Sequence, residues 1–402
     1  MKSAFFLFFV CITFSLPAQK NTQWRYDRTG IYSKETGLLQ SWPAVGPELL
    51  WYYNGLGEGH SSVAVASEKI YVTGILDGKG YLFIFDINGK LLDKKMYGDE
   101  WTVNYVGTRA TPVINDGKIY LYSGTGDLIC LDENALDVIW KRNIFVDFDS
   151  KNITWGTNES SLIIGEKIIA TPGGKKHNIV ALNKNTGELI WSTPAKGDLS
   201  AYCSPLYIND QEIPLIVTHT AENIVGLEAA TGKMLWSHEC KNRNSIHANT
   251  PVYANNRIFC SSVDRGCTML QLSDGGRKAK IVWEIPTLDN MIGAVVKIDG
   301  YLYGSDSGLK ERFWYCVDWE TGEVKYKDSK LAVGVTIAAD GKLYCYSQKG
   351  EMALVNASPD KFEIVSQFLI SMGTDQHWAH PVIHNGILYV RHGDTLMAYK
   401  IN

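Results

Sequence analysis

The sequence predicts an all-β fold, an eight-bladed β-propeller with four antiparallel strands in each blade, and three observations predict it. A turn-and-strand unit recurs eight times at a nearly constant period. Each unit is followed by a second strand that runs through another turn to a terminal aromatic or its counterpart. The two ends of the chain complement each other: the last repeat is one strand short and the N-terminal region carries one strand too many. Composition agrees, since 37 Gly, 21 Tyr, 13 Phe and 12 Trp in 402 residues supply turns and strands, and no long segment rich in Ala, Glu, Lys and Leu suggests a helix.

Taken from the N-terminus, residues 1–18 read as a signal peptide. Lys2 precedes an apolar run from Ala4 to Leu16, and Leu16-Pro17-Ala18 forms a small-residue cleavage site before Gln19. The run is too short to span a bilayer, and Cys11 follows the bulky Phe8-Phe9-Val10, a poor match to a lipoprotein site. The expectation is therefore one propeller domain over residues 19–402, secreted or periplasmic, with no transmembrane segment. Seven cysteines lie in that stretch, an odd number at scattered spacing, so at least one is unpaired. Cys260 and Cys267 alone are close enough, across a short hairpin, to suggest a local disulfide.

The repeat units are Glu68-Lys69-Ile70-Tyr71, Gly117-Lys118-Ile119-Tyr120, Glu166-Lys167-Ile168-Ile169, Glu212-Ile213-Pro214-Leu215-Ile216, Asn256-Arg257-Ile258-Phe259, Gly300-Tyr301-Leu302-Tyr303, Gly341-Lys342-Leu343-Tyr344 and Gly386-Ile387-Leu388-Tyr389. Their spacing, 41 to 49 residues, is the length of a four-stranded blade. The companion strands are clearest in Ala181-Leu182-Asn183 through Thr186-Gly187 to Trp191, in Gly226-Leu227-Glu228 through Thr231-Gly232 to Trp236, and in Cys316-Val317-Asp318 through Thr321-Gly322 to Tyr326. Weaker copies end at Trp140 and Trp283. The slot before the Leu/Val-Asp pair holds Ile84, Cys130, Ala181, Gly226, Gln271, Cys316, Leu354 and Ala398, mostly small or apolar groups suited to the space between facing sheets. The last repeat, 380–402, has room for three strands, and the segment Gly46-Pro47-Glu48-Leu49-Leu50-Trp51 supplies the fourth.

The pattern Ala-x-Asp-x-x-Thr-Gly-x-x-x-Trp resembles the docking motif of the pyrroloquinoline-quinone (PQQ) repeat, or quinoprotein-like, propellers. The resemblance covers nearly all of the chain beyond residue 18. It implies that Thr-Gly makes a hairpin turn and that the Trp wedges between neighbouring blades. It also implies that the links entering each inner strand gather around one mouth of the central channel.

Those links are rich in aromatic, His and amide side chains: His60, Tyr105 and Arg109, Trp155, Asn158 and Glu159, Tyr202, His247 and Asn249, then His377, Trp378 and His380. Surface loops ordinarily favour small polar residues, so the set points to a ligand site. Each histidine taken alone equally suits a structural role, bonding free backbone groups at a strand start. The resemblance implies PQQ and calcium as cofactors. On that resemblance Arg109 would pair with a cofactor carboxylate, Trp155 or Trp378 would stack on the ring, and His247, Asn249 and His377 would complete the mouth. Asn158 and Glu159 offer hard oxygen ligands to the cation.

Two departures weigh against an alcohol dehydrogenase: no vicinal Cys-Cys pair and no Cys-x-x-Cys-His haem attachment are present. The sequence therefore leaves two functions open. One is a quinone-binding oxidoreductase acting on alcohol or sugar hydroxyls in extracellular polysaccharide use. The other is a non-catalytic scaffold that holds an oligosaccharide or a protein strand on the same aromatic mouth. A net charge of −4 offers no basic footprint, so nucleic acid is not an expected partner.

Overall fold

The structure is a computed structural model that describes residues 22–308 and 311–402. The signal-peptide expectation, residues 1–18, lies outside the described residues. Eight four-stranded antiparallel sheets follow one another along the chain. Numbered from the first complete repeat, blade 1 covers Ala64 to Asp99, blade 2 Val113 to Asn143, blade 3 Leu162 to Thr193 and blade 4 Leu206 to Glu239. Blade 5 covers Val252 to Ile285, blade 6 Val296 to Asp328 and blade 7 Gly334 to Leu369. Blade 8 takes Val382–His384, Ile387–His392 and Thr395–Lys400 from the C-terminus and its outer strand, Glu48–Asn54, from the other end. Glu48 pairs with Lys400, Trp51 with Ala398 and Asn54 with Thr395, which is the expected closure. No described helix is long and apolar enough to cross a membrane.

The first turn of most blades forms because its two residues tolerate φ > 0, the requirement of the tight turns that match strand twist. Asp116-Gly117, Asp299-Gly300, Asp340-Gly341 and Asn385-Gly386 all take it. The hydrophobic core is divided into clusters shared between neighbouring blades. Ile84 and Leu131 meet between blades 1 and 2, Cys130 and Leu182 between 2 and 3, and Cys316 and Cys345 between 6 and 7. The expected wedge is present. The indole of Trp140 lies against Gly187 and donates to the Lys184 carbonyl at 2.9 Å; Trp283 lies against Gly322 and donates to Trp319 at 3.2 Å. Trp51 repeats the contact at the closure, against Gly89 and the Ile87 carbonyl at 3.0 Å. A side chain on any of these glycines would collide with the indole.

Blade 7 has Ser366 where the wedge belongs, opposite Leu354. Trp42, from the N-terminal approach, fills the gap: its backbone N–H donates to Ser366 Oγ at 2.9 Å and its ring packs 5.4 Å from Phe368.

Two expectations need correction. The small-residue slot in blade 5 is Met269, which faces Trp283, and not Gln271, which pairs with Lys280. The hairpin there contains the extra turn Asp274–Gly276, so counting back from the turn overshoots by two residues. Nor do Cys260 and Cys267 form a disulfide; all seven described cysteines are buried and free. Cys260 pairs with Thr268 and Cys267 with Ser261, so the two thiols leave opposite faces of the sheet, one toward blade 4 and one toward blade 6. Denaturing the protein without reductant is expected to release all seven thiols of residues 22–402 to a thiol reagent. A count of five would mean that a disulfide had formed.

Candidate functional site

The links that enter the inner strands bring several of their larger side chains to the axis. The result is a cavity of about 300 Å³ lined from every entering link except that of blade 7. That volume lies at the small end of the range for ligand pockets. Trp155 and Trp378 stand in its wall together with Tyr105, Tyr202, His60 and His380. Trp378 lies 5.0 Å from His60 and 5.3 Å from Tyr105, ring centre to ring centre.

The floor was not legible in the sequence. Residues 22–32 run into the channel and bond to its inner strands across the full width. Thr22 donates its N–H to the Ile114 carbonyl in blade 2 at 2.9 Å. Arg28 donates to the Ser160 and Ser161 carbonyls at the start of blade 3, at 2.9 and 2.8 Å. Arg25 reaches the Thr336 carbonyl in blade 7 at 3.0 Å, and Ile31 bridges Ala338 in parallel. Trp24 lies edge-on to His380, 5.3 Å away, and lines the cavity. The channel is therefore a cup closed by this plug. Its Trp-Arg-Tyr-Asp-Arg stretch was the available signal, but it belongs to no repeat and Arg25 to Arg28 all adopt positive φ, so no periodicity marks it.

Of the expected site residues, the structure brings Arg109, Trp155, Asn158, Asn249 and Trp378 onto this cavity. Arg109 uses both terminal nitrogens to clamp its own loop, donating to the carbonyls of Gly107, Tyr105 and Asn104 at 2.6, 2.8 and 3.2 Å. Burial lowers its pKa to about 10, against the opposing charges of Glu100 and Tyr202. Asn249 braces neighbouring links. It donates to the Asn290 carbonyl at 2.9 Å and accepts from the Ala294 N–H at 2.9 Å.

Glu159, His247 and His377 are placed elsewhere. Glu159 is fully buried and accepts from the Thr171 hydroxyl at 2.5 Å and its N–H at 3.1 Å. Burial pushes its pKa up to about 8, against these hydrogen bonds and Arg28. His247 is buried against His219, and His377 stacks on His392 at 3.6 Å while its Nδ1 bonds the Tyr346 hydroxyl.

Four arginines surround the cup, with the buried side chains of Glu100 and Glu159 near Arg109 and Arg28. Arg25, Arg28 and Arg391 are buried, none of them or Arg109 joins an ion pair among the described residues, and each of the three buried guanidiniums keeps one nitrogen without a partner. All four act on the lining. Arg28 bonds Ser160, Arg25 lowers the pKa of His380, and Arg391 and Arg109 help burial to push His60 down to about 3. No Asp or Glu lines the cavity. Asn158 Oδ1, both ring nitrogens of His60 and Nδ1 of His380 are buried there without a hydrogen-bond partner among the described residues, so the wall has polar atoms to offer a ligand.

A family model described as outer membrane protein assembly factor BamB, a PQQ-repeat family, matches residues 175–357. Over those residues the chain is similar to the quinoprotein-like repeat propellers. A quinoprotein ethanol dehydrogenase of Pseudomonas aeruginosa is 30% identical over 95 residues, which are 24% of this propeller and 14% of that enzyme. This propeller therefore matches far less than two thirds of the enzyme's length. Among solved structures, BamB from Moraxella catarrhalis superposes with a TM-score of 0.65 at 13% identity, covering 88% of this chain and 100% of that one. Quinohemoprotein alcohol dehydrogenase from Comamonas testosteroni gives 0.67 at 12% identity, covering 95% and 80%. At such identities these structures share the fold.

Proposed function

We propose that the cup of this propeller binds a flat, carboxylated small molecule, with PQQ, a tricarboxylated quinone, as the candidate cofactor. The observation that carries the reading is the set of four arginines free of ion pairs around a cavity with three tryptophans and no carboxylate. A negative ligand gains from that field throughout its burial, and a neutral sugar does not. Trp155 and Trp378 supply faces for stacking, Trp24 the floor, and Arg109, Asn158, His60 and His380 the polar contacts.

Calcium does not fit the residues present. The ion needs six or more oxygen ligands. Asn158 supplies one, Glu159 faces Thr171 instead of the cavity, and the surrounding guanidiniums repel a cation. When bound, such a quinone accepts two electrons and a hydrogen from an alcohol. Among the described residues no carboxylate lines the cavity to take the hydroxyl proton, and His60, held neutral to about pH 3, is a weak base. Binding is thus better supported than turnover of alcohols or sugar hydroxyls.

The test is a spectroscopic titration of the purified protein with PQQ, with and without calcium. Binding is expected without calcium, and at a hundredfold excess over Kd it should add about 2.7 kcal/mol to stability. Arg109→Ala should weaken it by about 2 kcal/mol or more, roughly thirtyfold, and the exposed Lys176→Ala hardly at all. No spectral or thermal shift with the quinone, together with oligosaccharide binding that Trp378→Ala abolishes, would put the glycan scaffold in its place.

A further inference from the structure

Blade 4 gathers three soft or borderline metal ligands at one end. His219 closes its second strand, Leu215–His219; Cys240 follows its outer strand, Met234–Glu239; His247 lies in the link onward to blade 5. The ligand atoms of the three lie within 4.8 Å of one another, and all three side chains are buried. His247 Nδ1 is 4.0 Å from Cys240 Sγ, and the two imidazoles stack at 4.8 Å with planes 9° apart.

Two details point to a ligand. The Nε2 of His247 lies 3.1 Å from the Ala221 carbonyl, which fixes the proton there and leaves the Nδ1 lone pair facing Cys240. Metal-bound histidines are held in this way, the far N–H donating to a carbonyl or carboxylate. His219, buried within the fold, has no partner for either ring nitrogen. A buried imidazole left so is costly, and a metal ion would take one of the two lone demands directly.

We propose that His219, Cys240 and His247 form a binding site for monovalent copper. Among the described residues no fourth His, Cys, Asp or Glu joins the group. Zinc structural sites are almost always four-coordinate, whereas a thiolate with two imidazoles suits a soft ion in trigonal geometry. Charge favours the same ion, since one thiolate and two neutral rings around Cu⁺ leave a buried group with no net charge. An N–S separation of 4.0 Å closes onto one ion with a few tenths of an ångström of side-chain movement. None of the three side chains lines the cup, although His247 lies between Ile246 and Ala248, which do. Exposed Lys241, Arg243 and Asn244, in the loop between Cys240 and His247, mark the way in.

The experiment titrates the full chain, stripped of metal and kept anaerobic, with Cu⁺ against a chromogenic competing chelator. One equivalent is expected to be retained, with X-ray absorption showing one sulfur and two nitrogens. Cys240→Ser and His219→Phe should each weaken retention by about a hundredfold or more. Cys316→Ser, in the cluster between blades 6 and 7, should leave it unchanged. Should either ligand variant fail to fold, the wild type gives a second measurement: Cu⁺ should slow alkylation of Cys240 and leave that of Cys316 as it was. Failure to hold one equivalent against the chelator, undiminished retention in both ligand variants, or displacement of Cu⁺ by Zn²⁺ would each overturn the assignment.

Discussion

A chain without residues 46–54 is expected to lose about 5 kcal/mol or more of stability and about 10 °C of melting temperature. The strand does more than pair with its neighbour. Trp51 and Tyr53 pack on Phe85 of blade 1, at 6.4 and 4.8 Å between ring centres, while their own strand bonds to blade 8. Removing it strips the seam of its wedge and leaves the Thr395–Lys400 edge unpaired. Trp51→Ala alone should cost about 3 kcal/mol, the low end for loss of a large aromatic from a core. Thermal melts of the three proteins decide it. A truncated chain that melts within two degrees of the parent, a far smaller effect than the area and edge arguments allow, would mean the ring is held by other contacts.

Removing residues 22–31 is expected to leave the eight blades folded and to weaken the quinone by about a hundredfold, because Trp24 and the charges of Arg25 and Arg28 go with it. A milder change isolates the plug's own anchoring. Arg28→Met leaves the Ser160 and Ser161 carbonyls without their donors, at about 2 to 4 kcal/mol for two buried acceptors. Circular dichroism and thermal melting report the fold, and equilibrium dialysis the affinity. Unchanged affinity in the truncated protein would show that the floor takes no part in binding. Lost affinity in a chain whose blades still fold, with a melting temperature lowered by the lost bonds to Ser160, Ser161 and Thr336, is the expected pattern.

The blades were legible because hairpin turns and period-two strands impose local rules on the sequence. Asp340-Gly341 needs positive φ at both positions wherever it stands, and Trp140 needs a glycine across from it. Counting failed by one residue in blade 4, where Val217 and not Ile216 pairs with Gly226, and by two in blade 5, where an inserted turn moved Met269 into the slot assigned to Gln271. The entering links obey no such rule. Position in a link told which end of the ring a residue occupies and left open whether its side chain faces the axis. Trp378 turns inward to the cup, and its neighbour His377 turns back onto His392. Glu159 and Asn158 divide in the same way, the carboxylate going to Thr171 and the amide to the cavity. The plug was invisible because its partners, Ile114, Ser160 and Thr336, lie far away in sequence and are bonded through backbone atoms that carry no residue identity.

The wedge has a direction, and this has a consequence for the order of events during synthesis. Trp140 of blade 2 is seated by a glycine of blade 3, and Trp283 of blade 5 by one of blade 6. A newly made blade therefore cannot be locked by what came before it; it waits for its successor. The wait is longest for Glu48–Asn54, made among the first of these residues, whose partner strand ends at Lys400. Until the last few dozen residues emerge, every finished blade belongs to an open arc with two exposed edges, and contacts of such long range close slowly. Residues as far as Lys400 must emerge before the ring can commit, so a ribosome that stalls within blade 8 leaves an arc with nearly all its strands made and none of its closure.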